Sequence, residues 1–121
     1  MTDSNNEDIS QSFSNSRIAN QKFYMRKMNY QGSLMLNICD EELLGKNIES
    51  DTVNINITSE FFNETVNENY INTLLKRCSI ANLIGQRIVD KTLSLGLAKR
   101  NSIKIVSDIP FLMIFKFQQN Y

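Results

Sequence analysis

Three segments in the first half of the chain carry hydrophobic patterns of β-strands. Phe23–Tyr30 is rich in aromatic residues and Met, whereas Ser33–Cys39 and Thr52–Thr58 alternate between apolar and polar positions. Alternation places the apolar side chains of a strand on one face, so these segments predict half-buried strands. Gln31 and Gly32 separate the first two segments and can form a tight turn. The pattern therefore predicts an antiparallel hairpin followed by a third strand.

The segment Glu68–Leu95 carries helical spacing instead. Its apolar residues recur at steps of three and four, and Gly96 follows where a helix cap is expected. One helix of this length would span about 42 Å, whereas a domain of this size has a radius of gyration of about 13 Å. We therefore expect a break near Cys78 and Ser79, with two packed helices.

The C-terminal part returns to strand-like segments. Ser102–Ser107 is short and contains β-branched residues, Pro110 forces an extended or turned backbone before it, and Phe111–Phe117 is strongly apolar. The element order is three strands, two helices and two strands. It predicts an α+β fold in two layers, with a mostly antiparallel sheet of about five strands and two helices on one face.

The start of the chain lacks this patterning. Residues 1–21 are rich in Ser, Asn and acidic side chains and show no hydrophobic period, which is typical of a disordered N-terminal tail. Residues 22–121 then form a single domain of usual size. The tail has no apolar signal core, and no apolar run approaches the ~20 residues of a membrane helix. We expect a cytoplasmic protein that does not engage a membrane.

Three polar or small residues are unusual for their predicted elements. Asp40 precedes two Glu and predicts the N-cap of a short helical turn, which Gly45 can end. Asn82 falls among apolar residues of the predicted second helix, where its amide serves either a structural bond to a neighbouring loop or a binding role. Gly85, in the middle of that helix, costs about 1 kcal/mol relative to Ala. Close approach of the first strand or of the Asp40 turn would explain it.

The composition excludes several kinds of active site. The chain has no His and only two Cys, so a His general base, a Ser–His or Cys–His pair and a Cys₂His₂ zinc site are excluded. Its four Gly are too scattered for a phosphate-binding loop, and the acids at 40–42 lack the spaced ligands of a calcium loop. We predict no catalytic residue, metal, cofactor or small-molecule substrate. Cys39 and Cys78 are expected to be reduced and buried. An enzyme stays a minor alternative, dependent on carboxylates, Lys, Tyr or Cys.

Three strings of the sequence occur together in one protein family. They are Ile38–Lys46 (ICDEELLGK), Ser79–Arg87 (SIANLIGQR) and Leu95–Leu97 leading into Ile109 and Pro110. In this order and spacing, from Phe23 to Phe117, the chain resembles a family of small archaeal proteins catalogued as domain of unknown function 424. The motif residues, to which the resemblance gives no role, are Asp40, Glu41, Gly45, Lys46, Asn82 and Gly85.

The resemblance supplies a fold and a lineage rather than a mechanism. It implies a cytoplasmic archaeal protein linked to translation or RNA handling. The chain differs from the family in its acid-rich N-terminal tail. It also has Phe111, Leu112 and Met113 after Pro110, where family members more often have a His and a polar residue. Any function of that polar pair is then absent from this protein.

Charge is unevenly distributed, although 13 basic and 13 acidic side chains cancel. Residues 40–68 hold eight acids and one base, whereas residues 76–104 hold seven bases and one acid. A basic surface binds RNA by displacing counterions from phosphates, and Tyr24 and Tyr30 can stack on bases. The alternative is a solvated helix face. The bases predicted to contact RNA are Arg26, Lys27, Lys76, Arg77, Arg87 and Lys91. On one unbroken helix, Lys76, Arg87 and Lys91 would lie on the same side, away from the apolar stripe and facing solvent.

These observations favour a non-enzymatic module that binds RNA or a ribonucleoprotein such as the ribosome. The alternative is a protein–protein adaptor, which would dock a basic partner on the acidic region 40–68 or accept a strand at a sheet edge.

Overall fold

The computed structural model describes residues 22–116, so the tail predicted over residues 1–21 lies outside the described part, as does Phe117. The strands are β1 (Lys22–Tyr30), β2 (Ser33–Asp40), β3 (Asn47–Glu49), β4 (Asn54–Asn56), β5 (Glu64–Asn67), β6 (Ile80–Ile84), β7 (Lys104–Val106) and β8 (Ile109–Phe115). The helices are α1 (Glu68–Arg77) and α2 (Gln86–Ser94), and single 3₁₀ turns occupy Glu41–Leu43 and Arg100–Ser102.

The main sheet has six strands in the order β5-β1-β2-β6-β8-β7. β2 and β6 are parallel, and every other neighbouring pair is antiparallel. The predicted α+β fold with two helices and a mostly antiparallel sheet is confirmed, with six main strands rather than about five. β3 and β4 form a separate two-stranded sheet. Neither helix of the described residues is long and apolar enough to cross a membrane.

The predicted N-terminal hairpin is confirmed. β1 and β2 pair from Phe23 opposite Asp40 to Tyr30 opposite Ser33. Both residues of the turn, Gln31 and Gly32, have positive φ. A two-residue turn of this kind has a backbone twist that matches the twist of the paired strands. The short helical turn predicted after β2 is also present, as the 3₁₀ turn that follows Asp40.

Two predictions about the middle of the chain are wrong. Ile80–Ile84 is the strand β6, not the start of a second helix, because a short apolar run fits a central strand as well as a buried helix. Asn82 and Gly85 are consequently a strand residue and the residue that precedes α2. In Thr52–Thr58 only Asn54–Asn56 is a strand, and it pairs with β3 outside the main sheet.

The two faces of the main sheet bury different clusters. Both helices pack on one face, where α1 contributes Ile71, Leu74 and Leu75 and α2 contributes Ile88 and Val89 to the larger core. The opposite face is covered only in part. The β3–β4 sheet and its flanking loops cover the end of that face near Cys39 and Ile84, and the rest of the face lies open.

Both cysteines are buried and unpaired as predicted, and their thiols are poor nucleophiles. Burial raises the pKa of Cys39 to about 12, with the charge of Asp40 adding to the shift, and burial also raises the pKa of Cys78. Since the thiolate is the reactive form, neither cysteine should react with a disulfide-exchange thiol reagent at pH 8 in the native protein. Both should react within minutes in denaturant. If one thiol of the native protein reacts with the reagent as fast as a small-molecule thiol does, the prediction is wrong.

Candidate functional site

The motif residue Asp40 caps a helix far from it in sequence. Asp40 is only 3% exposed, and its Oδ2 accepts from the backbone N–H of Arg87 and its Oδ1 from that of Ile88, each at 2.9 Å. These are the second and third residues of α2, whose N–H groups a cap side chain normally satisfies. The cap position itself is Gly85, which has no side chain. The prediction that Asp40 caps its own turn is wrong, because it makes no side-chain bond there.

Gly85 makes this capping possible. Its φ of 120° and ψ of 154° lie in a region that is essentially restricted to glycine. A Cβ at this position would lie 2.5 Å from Oδ2 and 2.9 Å from Oδ1 of Asp40. The expected close approach of the Asp40 turn is therefore confirmed, although the glycine precedes the helix rather than interrupting it.

Arg87 adds further contacts where Asp40 meets the start of α2, a region that we call the joint. Its Nε and Nη2 donate to Oε2 and Oε1 of Glu42 at 3.2 and 2.7 Å, and Nη2 also donates to the carbonyl of Lys22 at 3.1 Å. The guanidinium lies 4.7 Å from the ring centroid of Phe23. This fork geometry and stacking are specific to arginine. Arg87 thus ties α2 to the 3₁₀ turn and to the start of β1.

The pKa values of the two carboxyl groups in the joint are shifted in opposite directions. The hydrogen bonds from Arg87 lower the pKa of Glu42, while burial raises the pKa of Asp40 against the two backbone bonds that lower it. The Glu42 contribution to stability is present above its unfolded pKa and is lost as pH falls through its folded pKa. Solvent screens this contribution, because the Glu42 side chain is 60% exposed.

The remaining motif residues position the β3–β4 hairpin, which we call the covering hairpin. Gly45 has a φ of 91°, and its N–H donates to the carbonyl of Ile57 at 2.6 Å. The N–H of Ile57 in turn donates to the carbonyl of Lys46 at 2.9 Å. Glu41 is exposed and begins the 3₁₀ turn. With the exception of Asn82, the motif residues therefore build the joint between β2, the hairpin and α2.

The six bases predicted to contact RNA fall into three groups. Arg26 lies on the open face and donates to the carbonyl of Glu60 at 2.8 Å. Arg87 and Lys91 line a cleft beside α2, where Lys91 pairs with Glu68 at 2.7 Å. The third group contains Lys27, Lys76 and Arg77, near the last turn of α1. The structure does not align Lys76 with Arg87 and Lys91, because β6 separates the two helices.

The third group lies at an end of the domain that we call the acid-free end. It comprises the basic and aromatic residues Lys27, Tyr30, Tyr70, Lys76, Arg77 and Phe115. Lys27 and Arg77 line one cleft of about 290 Å³ with Tyr70, whose hydroxyl accepts from Lys27 Nζ at 3.2 Å. The segments that form this end, residues 27–39, 69–82 and 109–116, contain no Asp or Glu.

Backbone hydrogen bonds gather the parts of the acid-free end. The N–H of Ser79 donates to the carbonyl of Leu34, and the N–H of Lys116 donates to the carbonyl of Ser79, both at 2.8 Å. Lys116 Nζ donates to the carbonyls of Leu75 and Lys76 at the end of α1. The hairpin tip, the end of α1 and the end of β8 therefore meet.

The open face of the sheet presents side chains in rows set by strand register. The middle row is Arg26, Asn37, Asn82 and Met113, and the row toward the acid-free end is Met28, Met35, Ile80 and Phe115. Asn82 Nδ2 donates to Asn37 Oδ1 at 3.0 Å. The structural partner expected for Asn82 is thus a neighbouring strand rather than a loop. Sequence reasoning missed Asn37, whose polar position on β2 was its only signal.

Cavities flank this amide pair beneath the covering hairpin. One of about 510 Å³ is lined by Asn82 and by residues of β8 and β7, and another of about 380 Å³ is lined by both amides and by β4. Ile55 borders both. Within residues 22–116, no group of three or more Cys, Asp or Glu side chains is placed to hold a metal ion.

Comparison with known proteins identifies the family. A solved structure of an uncharacterized conserved protein from Methanopyrus kandleri is similar in fold, with a TM-score of 0.65 and 17% identity over 83% of this chain and 97% of that one. No curated protein matches the chain. The sequence profile of the family described as "Protein of unknown function (DUF424)" matches residues 28–117, which include both long motifs. The chain therefore belongs to the DUF424 family.

Proposed function

We propose that this protein is a non-enzymatic module that binds single-stranded RNA or a ribonucleoprotein through its acid-free end. The observation that carries the proposal is the grouping there of Lys27, Lys76 and Arg77 with no carboxylate on the segments around them. Within the described residues, neither Lys76 nor Arg77 has an ion-pair partner. Both can therefore exchange counterions for phosphates without first breaking a bond in the fold.

Aromatic side chains accompany these bases. Tyr30 and Phe115 are each 64% exposed, and Tyr70 is 44% exposed. Nucleic-acid-binding surfaces for single strands combine a positive groove with aromatic rings on which bases stack. Arg87 and Lys91 are less suited to phosphate contacts, since each already holds a carboxylate, Glu42 and Glu68 respectively.

The direct test removes the charge of Lys76 and Arg77 together, as Lys76→Gln with Arg77→Gln, and measures binding of a labelled single-stranded RNA by fluorescence anisotropy across salt concentrations. We expect about a tenfold loss of affinity, and a decrease of about 1.4 in the slope of log affinity against log salt. The matched control is Lys99→Gln with Arg100→Gln, which removes the same net charge from the segment before β7. β7 is the edge strand farthest from β5, and β5 is the strand that α1 contacts. Equal losses in both variants would assign binding to net charge alone and reject the acid-free end.

A second measurement tests the ribonucleoprotein form of the proposal. In a native extract the protein should co-sediment with ribosomes at low salt and dissociate as salt rises, because phosphate contacts are screened. A protein that stays at the top of the gradient at both salts would contradict ribosome binding.

The adaptor remains the second candidate, and exposed acids support it. The structure uses Asp40, Glu42 and Glu68 internally, and the other acids of region 40–68 are exposed; they are Glu41, Glu49, Asp51, Glu60 and Glu64. A basic protein could dock there. The adaptor function predicts a stoichiometric protein partner that survives nuclease treatment in a pulldown. Loss of every partner on nuclease treatment favours RNA.

A further inference from the structure

The amide pair Asn37 and Asn82 is the polar centre of the open face, and the fold uses only part of it. Each side chain makes one hydrogen bond, to the other, among residues 22–116. An Asn amide offers two N–H donors and a carbonyl with two lone pairs. The NH₂ group of Asn37 and the carbonyl oxygen of Asn82 are therefore left to pair with solvent or a ligand. A donor and an acceptor are therefore available on two adjacent central strands.

Asn82 lines a partly open cavity whose walls are mostly apolar side chains. Its larger cavity, about 510 Å³, falls in the range of about 300–1,000 Å³ that is typical of small-molecule sites. Phe111 and Met113 of β8 form one wall, and Ile55 of the covering hairpin forms another. Apolar walls around a few polar groups fix a flat ligand in place while the polar groups set its orientation.

A cation lies at the rim of the same cavity. Lys104 pairs in register with Phe111, so its side chain lies on the open face beside that ring. Within residues 22–116 it has no ion-pair or side-chain hydrogen-bond partner. A ligand that fits these features is flat and apolar on its faces and carries hydrogen-bond donors and acceptors on one edge. It also has a negatively charged group placed to reach Lys104.

We propose that this cavity binds a nucleobase. Asn82, oriented by its hydrogen bond to Asn37, bonds the edge of the base. Phe111 and Met113 contact the face of the base, and Lys104 contacts a phosphate attached to its sugar. Asn and Gln side chains read bases in this way because an amide matches the donor and acceptor pattern of a base edge. The base can come from a free nucleotide or from a single-stranded RNA. For the RNA source, the inference rests on the proposed function and adds base recognition to phosphate binding.

The test for the free nucleotide uses the full chain and isothermal titration calorimetry with the four ribonucleoside monophosphates and with ribose 5-phosphate. At least one monophosphate should bind, at least tenfold more tightly than ribose 5-phosphate. Asn82→Ala should weaken that binding about tenfold, which corresponds to about 1.4 kcal/mol. Asn69→Ala, an exposed residue of α1, is the control and should leave it unchanged. Asn37→Ala serves as the second variant if Asn82→Ala does not fold, as judged by circular dichroism.

The test for the RNA source compares a single-stranded oligonucleotide with an abasic one of the same length. The proposal expects the base-bearing strand to bind more tightly, and expects Asn82→Ala to reduce that preference without changing the salt slope. RNA binding that depends on Lys76 and Arg77 but is indifferent to bases and to Asn82→Ala, together with no monophosphate binding, overturns this inference and leaves the proposed function standing. Monophosphate binding that requires Asn82, in a protein with no affinity for RNA, supports the inference and rejects the proposed function.

Discussion

Replacing Gly85 by Ala should destabilise the protein by about 4 kcal/mol. Two costs combine. The backbone conformation at Gly85 costs about 1–3 kcal/mol for a residue with a side chain, and forcing a methyl group against buried Asp40 costs a similar amount. Domains of this kind are stable by about 5–15 kcal/mol in total. The change therefore removes a large part of the stability, which urea unfolding followed by fluorescence or circular dichroism will measure.

Gly96→Ala is the matched control for this prediction. Gly96 also has a positive φ, 74°, but nothing lies within 4 Å of the Cβ that Ala would add. It should cost only the left-handed backbone penalty of about 1–2 kcal/mol. If the two variants lose equal stability, the contact with Asp40 has no energetic role and the description of the joint is wrong.

Replacing Asp40 by Ala should cost about 3 kcal/mol. The change removes two charge-assisted hydrogen bonds and leaves the N–H groups of Arg87 and Ile88 without their acceptor at a buried helix start. Asp40→Asn should cost about half as much, because its carbonyl still accepts one bond and no charge is buried, while its NH₂ group faces the second N–H. Thermal and urea unfolding of the three proteins give the comparison. A loss below about 0.5 kcal/mol for Ala would contradict the capping role.

Asp90→Ala controls for the loss of an acidic residue on the same helix. Asp90 is exposed and accepts one bond from Gln86 at 2.9 Å, so its removal should cost under about 0.5 kcal/mol.

The joint itself is tested by combining the two large changes, Asp40→Ala and Gly85→Ala. In the Asp40→Ala background the methyl group of Gly85→Ala has room, and only the backbone penalty should remain. The two effects are then strongly non-additive, as expected for residues in contact.

These expectations give a physical meaning to the family motifs. The strings ICDEELLGK and SIANLIGQR begin about 40 residues apart in sequence. Their residues Asp40, Glu42, Gly85 and Arg87 nevertheless meet in one joint. Most motif positions are explained by this joint and need no ligand. Asn82 is the exception, since its side chain lies on the open face, bonds to Asn37 and lines a cavity.

The local elements with a clear period could be predicted from the sequence. Alternation over Ser33–Cys39 and the Gln31 and Gly32 turn defined the hairpin, because a period of two and a positive-φ turn are local properties of the chain. The helix starting near Glu68 was also predicted correctly. Ile80–Ile84 was not, since a buried central strand has apolar residues on both faces and loses the alternation that identifies a strand.

The candidate sites were predicted less completely. Burial of the cysteines and the close approach at Gly85 followed from residue type alone. The grouping of the six bases did not follow, because their positions depend on the strand that separates the helices. Asn37 was missed because a polar residue on an alternating strand is ordinarily solvated, and only pairing with β6 places it beside Asn82.

By itself, then, the sequence determined the α+β class, the hairpin, the absence of histidine chemistry and the family. Only the tertiary structure decided which helix Asp40 caps, which bases share a surface and which amides face a cavity. The physical reason is the range of the interactions. Hydrophobic period and turn preference act within a few residues, whereas a cap, an ion pair or a cavity wall depends on residues tens of positions apart that the parallel pairing of β2 with β6 brings together.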